Sequence, residues 1–228
     1  FKDISFEKDL VNLGKSYDRH LVLGESSVYH CGKIKNKNVM KTDINKVKES
    51  DEFTFDIDNR DNPKKHTWAK TVKYDNSFYE VGPLSRALVN QHTFIKDMHK
   101  NYGDSVFTRV MARMDELAFL LKHSKDLISQ IDISEPSFIE PRFHIKNIDS
   151  AKATAVVEAC RGSLVHSVEV KNGIISSYDV ITPTVWNLGS GNKSNPGVVQ
   201  NAIIGVNSKE LATIILRSFD VCSVCTTH

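Results

Sequence analysis

From Ser105 onward, Val106, Val110, Met114, Leu117 and Leu121 recur at the i+3/i+4 spacing of an α-helix, with Phe107, Met111, Ala118 and Leu120 widening the stripe. A stripe this wide predicts a helix packed in a bundle, with Met111 and Met114 filling irregular gaps in its core. Arg109, Arg113 and Glu116 fall largely off that seam, and Arg113 and Glu116 are spaced to pair across one turn. After Pro136 and Pro141 the period changes to that of strands: TAVVEA (154–159), SLVHSVEV (163–170) and IISSYDVI (174–181) are rich in β-branched residues. Lys171-Asn172-Gly173 separates the last two, and Asn-Gly tolerates the positive φ of a type I′ turn, so residues 163–181 are predicted to form a hairpin. TPTVWNLGSGNKSNPG (182–197) reads as a long Gly/Asn/Ser/Pro loop. A short helix follows, capped by Asn207 or Ser208 with Glu210 completing a capping box, and Leu211, Ile214 and Ile215 form its buried face. Residues 1–66 carry many Lys, Asn and Asp at weak periodicity and read as surface loops and short strands, a solvated outer layer. The expected class is α+β: a long-helix bundle, a small antiparallel region around 163–181, and a C-terminal helix leading into a metal-binding tail.

Composition narrows the picture. A chain of 228 residues forms one large domain or two small ones, and its 40% hydrophobic and 25% charged residues are ordinary for a soluble globular protein. A net charge of +2 gives no concentrated basic field, so nucleic acid is not an expected partner. No apolar run reaches the about 18 residues that a membrane span needs. The start, FKDISFEKDL, has neither an initial Met nor an apolar core, so it is not a signal peptide and the chain reads as a processed or partial product. Four cysteines (Cys31, Cys160, Cys222, Cys225) are too few for a disulfide scaffold, and the C-x-x-C pair favours metal or redox chemistry.

The sequence ends on FDVCSVCTTH, which places Cys222, Cys225 and His228 at three-residue intervals. Three readings are open on these residues alone. They are part of a structural zinc site whose fourth ligand is Cys31 or Cys160; or a dithiol redox motif, although such a motif opens a helix rather than following one; or thiolate ligands of a buried transition metal, with the histidine bound elsewhere.

Three further segments bear on that choice. HTWAKTVKYDNSFYEVGPLSRAL (66–88), EACRGSLVHSVEVKNGIISSYDVITPTVWNLG (158–189) and SFDVCSVCTTH (218–228) together resemble the large subunit of nickel–iron hydrogenases, which carries E-V-G-P-L-A-R, E-A-P-R-G, P-T-x-W-N and D-P-C-x-x-C-x-x-H in this order. The resemblance runs from about residue 66 to the end, which makes 66–228 a motif-bearing core, 1–65 its periphery, and the whole chain the C-terminal part of a large-subunit domain.

The resemblance implies reversible oxidation of H2 to protons and electrons at a nickel–iron centre with CO and cyanide on the iron. Cys222 would be a terminal nickel thiolate and Cys225 a bridge from nickel to iron. Arg161 would face the metals as a hydrogen-bond donor or base, Asp220 would hold that arginine, and Thr184 would hydrogen-bond a cyanide; a proton from H2 would pass to Cys222 or Arg161. His228 would bind magnesium or a similar ion with the carbonyl of Val180. Glu158 and His166 read as structural, Glu158 pairing with an arginine and His166 a satisfied core histidine; Glu80 and Arg86 read as a buried pair at a helix start. Removal of an extension in maturation would explain an end on His228.

Three departures stand out: Cys160 and Val221 replace prolines, and the family's N-terminal R-x-C-G-x-C, source of the other two nickel thiolates, does not occur. A second chain or segment carrying those cysteines is therefore implied, together with an iron–sulfur small subunit that takes the electrons. The same resemblance suggests a membrane-associated or periplasmic setting and leaves the cytoplasmic side open. A hydrogen sensor with negligible turnover and a zinc-binding structural domain are the rival readings.

Overall fold

The computed structural model describes residues 10–55, 62, 65–140 and 148–222. Three short strands, β1 (His20–Val22), β2 (Gly32–Lys35) and β3 (Asn38–Met40), form one antiparallel sheet, and β4 (Val47–Ser50) pairs with β5 (Thr71–Tyr74) in a second. Three helices follow: α1 (Pro83–Val89), α2 (Thr93–Tyr102) and α3 (Val106–Ile128). The third sheet is an antiparallel meander of β6 (Ser150–Ala159), β7 (Gly162–Lys171) and β8 (Ile174–Ile181). Helices α4 (Pro183–Leu188), α5 (Val198–Ile203) and α6 (Lys209–Ser218) complete the described chain. This mixed architecture with small antiparallel sheets is the α+β class expected from the sequence.

Local chemistry explains most of the boundaries. The β7–β8 hairpin turns at Asn172 (φ 52°) and Gly173 (φ 73°), both in the left-handed region that a type I′ turn requires. Helix α3 starts where the Ser105 side chain accepts the Thr108 amide, and α6 where Ser208 accepts the Leu211 amide. Between the two candidates, Ser208 is the cap, which puts Glu210 one position short of a capping box; its carboxylate instead accepts from the Ser208 hydroxyl. The segment 182–197 is not loop throughout: α4 occupies 183–188, with Pro183 at its first position, where a fixed φ suits a helix and no amide is missed. Its Val185 and Trp186 are each 1% exposed in a core shared with Leu21, Tyr79 and Val165.

Two expectations about burial are overturned. Residues His20, Leu21 and Val22 are fully buried, although the polar composition around them reads as a solvated layer. β1 is covered on both faces, Leu21 packing in one core cluster and Val22 in another, and a composition average cannot show this. On α3 the predicted seam faces the core only in its first turns, where Val106 and Met111 pack, and beyond them it turns outward. Met114, Leu117 and Leu121 are 59%, 54% and 64% exposed, while Thr108, Arg109 and Ala112 are buried with Val106. The cause is electrostatic: Glu80 is itself buried, and a buried carboxylate requires a partner, which Arg109 supplies with two 2.8 Å bonds from Nε and Nη2. Glu116 likewise turns inward to Arg86, at 2.6 and 2.7 Å, rather than pairing with Arg113, whose guanidinium donates to the carbonyl of Ser218 at the end of α6. Glu80 and Arg86 are thus both buried but belong to different pairs.

At the start of β7, Gly162 has φ 128°, and a Cβ there would lie 2.6 Å from Val81 Cγ2. Backbone strain and overpacking act together, so Gly162→Ala should destabilise the fold by about 1–3 kcal/mol or more. Urea unfolding should show a lowered midpoint at unchanged slope; an unshifted midpoint would contradict the close approach.

Candidate functional site

Glu80 to Arg86, the segment that starts α1, carries the scaffold of the site. Arg86 is 2% exposed and reaches in three directions. It grips Glu116 on α3; it donates to Glu158 on β6 at 3.1 Å; and its Nη1 and Nη2 each donate at 2.9 Å, to the carbonyls of Ala159 and Cys160. Burial works against its charge, but the hydrogen-bonded carboxylates of Glu116 and Glu158 more than offset this and raise its pKa above the ordinary value. Glu158 is fixed in turn by the Ser163 hydroxyl and by the amides of Leu23 and Gly24 at 3.2 Å. The pairing of Glu158 with an arginine agrees with the expectation from sequence; that arginine is Arg86.

The two carbonyls that Arg86 holds belong to the tight connection between β6 and β7, whose second residue is Arg161. Its Nε donates to the carbonyl of Asp220 at 2.8 Å and lies 3.4 Å from the Asp220 carboxylate, and its Nη1 lies 3.6 Å from Cys160 Sγ. The side chains of Arg161 and Asp220 are 38% and 45% exposed, so this pair contributes geometry rather than much stability. Asp220 meets Arg161 because α6 ends in a reversal: Asp220 has φ 54°, in the left-handed region that aspartate tolerates better than most residues.

Two residues later, the Cys222 amide donates to Thr184 Oγ1 at 3.2 Å. Thr184 is 2% exposed on α4, and α4 is tied to the start of α1 by Asn187, which accepts from the Val81 amide at 3.1 Å and donates to its carbonyl at 3.0 Å. Four segments distant in sequence, around Val81, Arg161, Thr184 and Asp220, therefore converge on Cys222.

Among the residues singled out from sequence, Arg161, Asp220, Thr184 and Cys222 come together. Val180 sits on β8 opposite His166. Cys225 and His228 lie outside the described residues. His166 is half-buried and partnered by the Tyr178 hydroxyl at 2.7 Å, a strand-surface pair rather than a core histidine. Arg86 was missed as part of the site because its partners on α3 and β6 lie far along the chain. The anchoring of Cys222 by Thr184 was missed as well, since no spacing rule connects them.

The sequence model of the family described as nickel-dependent hydrogenase matches residues 24–228. The chain is 27% identical over 175 residues to sulfhydrogenase 1 subunit alpha of Pyrococcus furiosus, covering 72% of this chain and 40% of that one. It is 28% identical over 198 residues to the uptake hydrogenase large subunit of Rhodobacter capsulatus, covering 75% and 33%. It thus spans well under half the length of these relatives. In fold it resembles the Ni-Fe-Se hydrogenase from D. vulgaris Hildenborough in the reduced state, with a TM-score of 0.85 at 24% identity over 97% of this chain and 55% of that one.

Proposed function

This chain belongs to the nickel-dependent hydrogenase family, and from that premise we propose that it is the C-terminal part of a catalytic large subunit, supplying two nickel thiolates and the arginine beside them for reversible H2 oxidation. The observation that carries this reading is the convergence of Arg161, Asp220 and Thr184 on the Cys222 segment.

The described donors suit a nickel–iron centre by their chemistry. Thiolate is a soft ligand appropriate to such metals, and the Cys222 backbone is anchored by a hydrogen bond, which fixes where its sulfur can go. Because Thr184 Oγ1 already accepts from that amide, its hydroxyl hydrogen remains for an acceptor such as a cyanide on iron. Cys222 and Cys225 would hold the metals, and His228 with the Val180 carbonyl would hold a magnesium or similar ion. When bound, the centre supplies the redox chemistry that takes two electrons from H2. Arg161 would present its charge and N–H donors to the reacting face, and the Cys222 sulfur would hold the proton. Asp220 keeps the guanidinium from swinging into solvent, and Arg86 keeps the turn that bears it in place.

The other two thiolates come from a second chain or segment, and the electrons go to an iron–sulfur small subunit; that relatives are named as large or alpha subunits supports such an assembly. We infer a membrane-associated or periplasmic setting, supported by a relative named as a periplasmic hydrogenase large subunit. No helix among the described residues is long and apolar enough to cross a membrane.

Elemental analysis and infrared spectroscopy of the assembled complex test the reading. It requires nickel and iron in equal amount, with bands of CO and cyanide bound to iron. Zinc as the sole metal would overturn it, and full metal content without turnover would favour a hydrogen sensor.

A further inference from the structure

Asp18, His20, His99 and Asp104 come from three parts of the fold: the loop before β1 and β1 itself, the last turn of α2, and the turn into α3. Each offers a ligand atom, and these atoms all lie within 4.8 Å of one another. Asp104 Oδ1 is 3.0 Å from His20 Nε2 and 2.7 Å from His99 Nε2, and Asp18 Oδ1 is 3.5 Å from His99 Nε2 and 4.0 Å from His20 Nε2. Two nitrogen or oxygen ligands bound tetrahedrally at zinc's ~2.0–2.1 Å are about 3.3 Å apart, in the middle of that range.

The hydrogen bonds behind the cluster point the same way. Ser85 Oγ donates to the Glu80 carbonyl at 2.7 Å, so its single hydrogen is committed and it can only accept from His20 Nδ1, 3.1 Å away. That bond places the hydrogen of His20 on Nδ1 and leaves Nε2, fully buried, with a lone pair directed at a carboxylate oxygen. Nε2 and Oδ1, 3.0 Å apart, therefore share either a proton on Nε2 or a cation held between them. A metal-bound histidine is held in this way, with its other nitrogen donating into the protein. The second oxygen of Asp104 is occupied by the Asp18 amide at 2.7 Å and by Ser16 Oγ at 2.6 Å, which leaves Oδ1 for the cluster. Two carboxylates balance a 2+ charge, and Asp18, His99 and Asp104 line a cavity of about 700 Å³ through which an ion can enter.

We propose that Asp18, His20, His99 and Asp104 form a His2Asp2 site for a divalent first-row transition-metal ion. It contains no cysteine, and it is independent of the hydrogenase reading. The nitrogen and oxygen donor set and its count of four suit Zn2+.

The test is Zn2+ titration of the full chain carrying Cys222→Ser and Cys225→Ser, which removes the thiolates of the tail. One Zn2+ per chain is expected, with an absorption-edge spectrum showing only nitrogen and oxygen neighbours at ~2.0–2.1 Å. Asp18→Ala and His99→Ala, at the open side of the cluster, should abolish stoichiometric binding while leaving circular dichroism unchanged. Ser85→Ala should weaken it about 10–100-fold, as the loss of a partner behind a ligand does. No zinc in the chain carrying Cys222→Ser and Cys225→Ser, or zinc that persists undiminished in Asp18→Ala and His99→Ala, would overturn the proposal and leave a protonated imidazole–carboxylate cluster only.

Discussion

In the assembled enzyme, Arg161→Lys should lower the rate of H2 oxidation by about 10²–10³-fold, the usual loss when one positioned charge-stabilising donor is removed. The expectation follows from the shape of the guanidinium. One edge of Arg161 is spent on Asp220, whose carbonyl takes Nε at 2.8 Å, while Nη1 points past Cys160. A rigid fork can be anchored on one side and present a donor on the other. An ammonium is a single point and does one or the other. Nickel content should be unchanged, because the thiolates and the Thr184 anchor of Cys222 are untouched. If metal is lost along with activity, Arg161 holds the fold rather than the reacting face.

Glu80→Ala should cost about 3–5 kcal/mol of stability by stranding the Arg109 charge, which is 3% exposed. Arg109 has a second anchor in the Gly14 carbonyl at 2.8 Å, but a carbonyl dipole does not neutralise a cation. Replacing both partners by apolar residues, Glu80→Leu with Arg109→Met, should recover much of the loss, since a buried ion pair contributes little beyond its own desolvation. Urea unfolding of the single and double variants measures both. A single-variant loss below about 1 kcal/mol would mean that the pair is effectively solvated. The consequence extends to the site: the guanidinium of Arg109 lies 3.8 Å from the centre of the Phe219 ring, next to Asp220, so a shifted Arg109 loosens the reversal that brings Asp220 to Arg161.

The contrast between α3 and the hairpin shows what the sequence makes legible. The β7–β8 turn is dictated by two adjacent residues, and Asn172-Gly173 can be recognised without knowing anything distant. Helix α3 is recognisable by period, but its inward face is chosen by carboxylates elsewhere in the chain. A hydrophobicity count places Arg109 outside, whereas Glu80 brings it in. The same reason hid α4, where Pro183 and the Gly- and Asn-rich stretch after it suggest a loop while the burial of Trp186 makes a helix. Within the site, the Arg161–Asp220 pair was reachable through motif resemblance. The Arg86 clamp on the Cys160 carbonyl was not, because a backbone acceptor has no sequence signature.

The spacing of the site's contacts along the chain bears on the order of folding. Arg86 meets the Cys160 carbonyl across 74 residues, Asn187 meets Val81 across 106, and Arg161 meets Asp220 across 59. Each closes a long loop, and the entropy of closure is lost before the contact returns anything. Contacts of this separation form slowly and late. Helix α3 and the β7–β8 hairpin can form as soon as they are synthesised, but the wall around Cys222 exists only once the chain through residue 222 has left the ribosome. On the proposed function, metal loading would be timed by the polypeptide itself: Cys222 would have a fixed backbone from which to bind only after its segment has docked on Thr184.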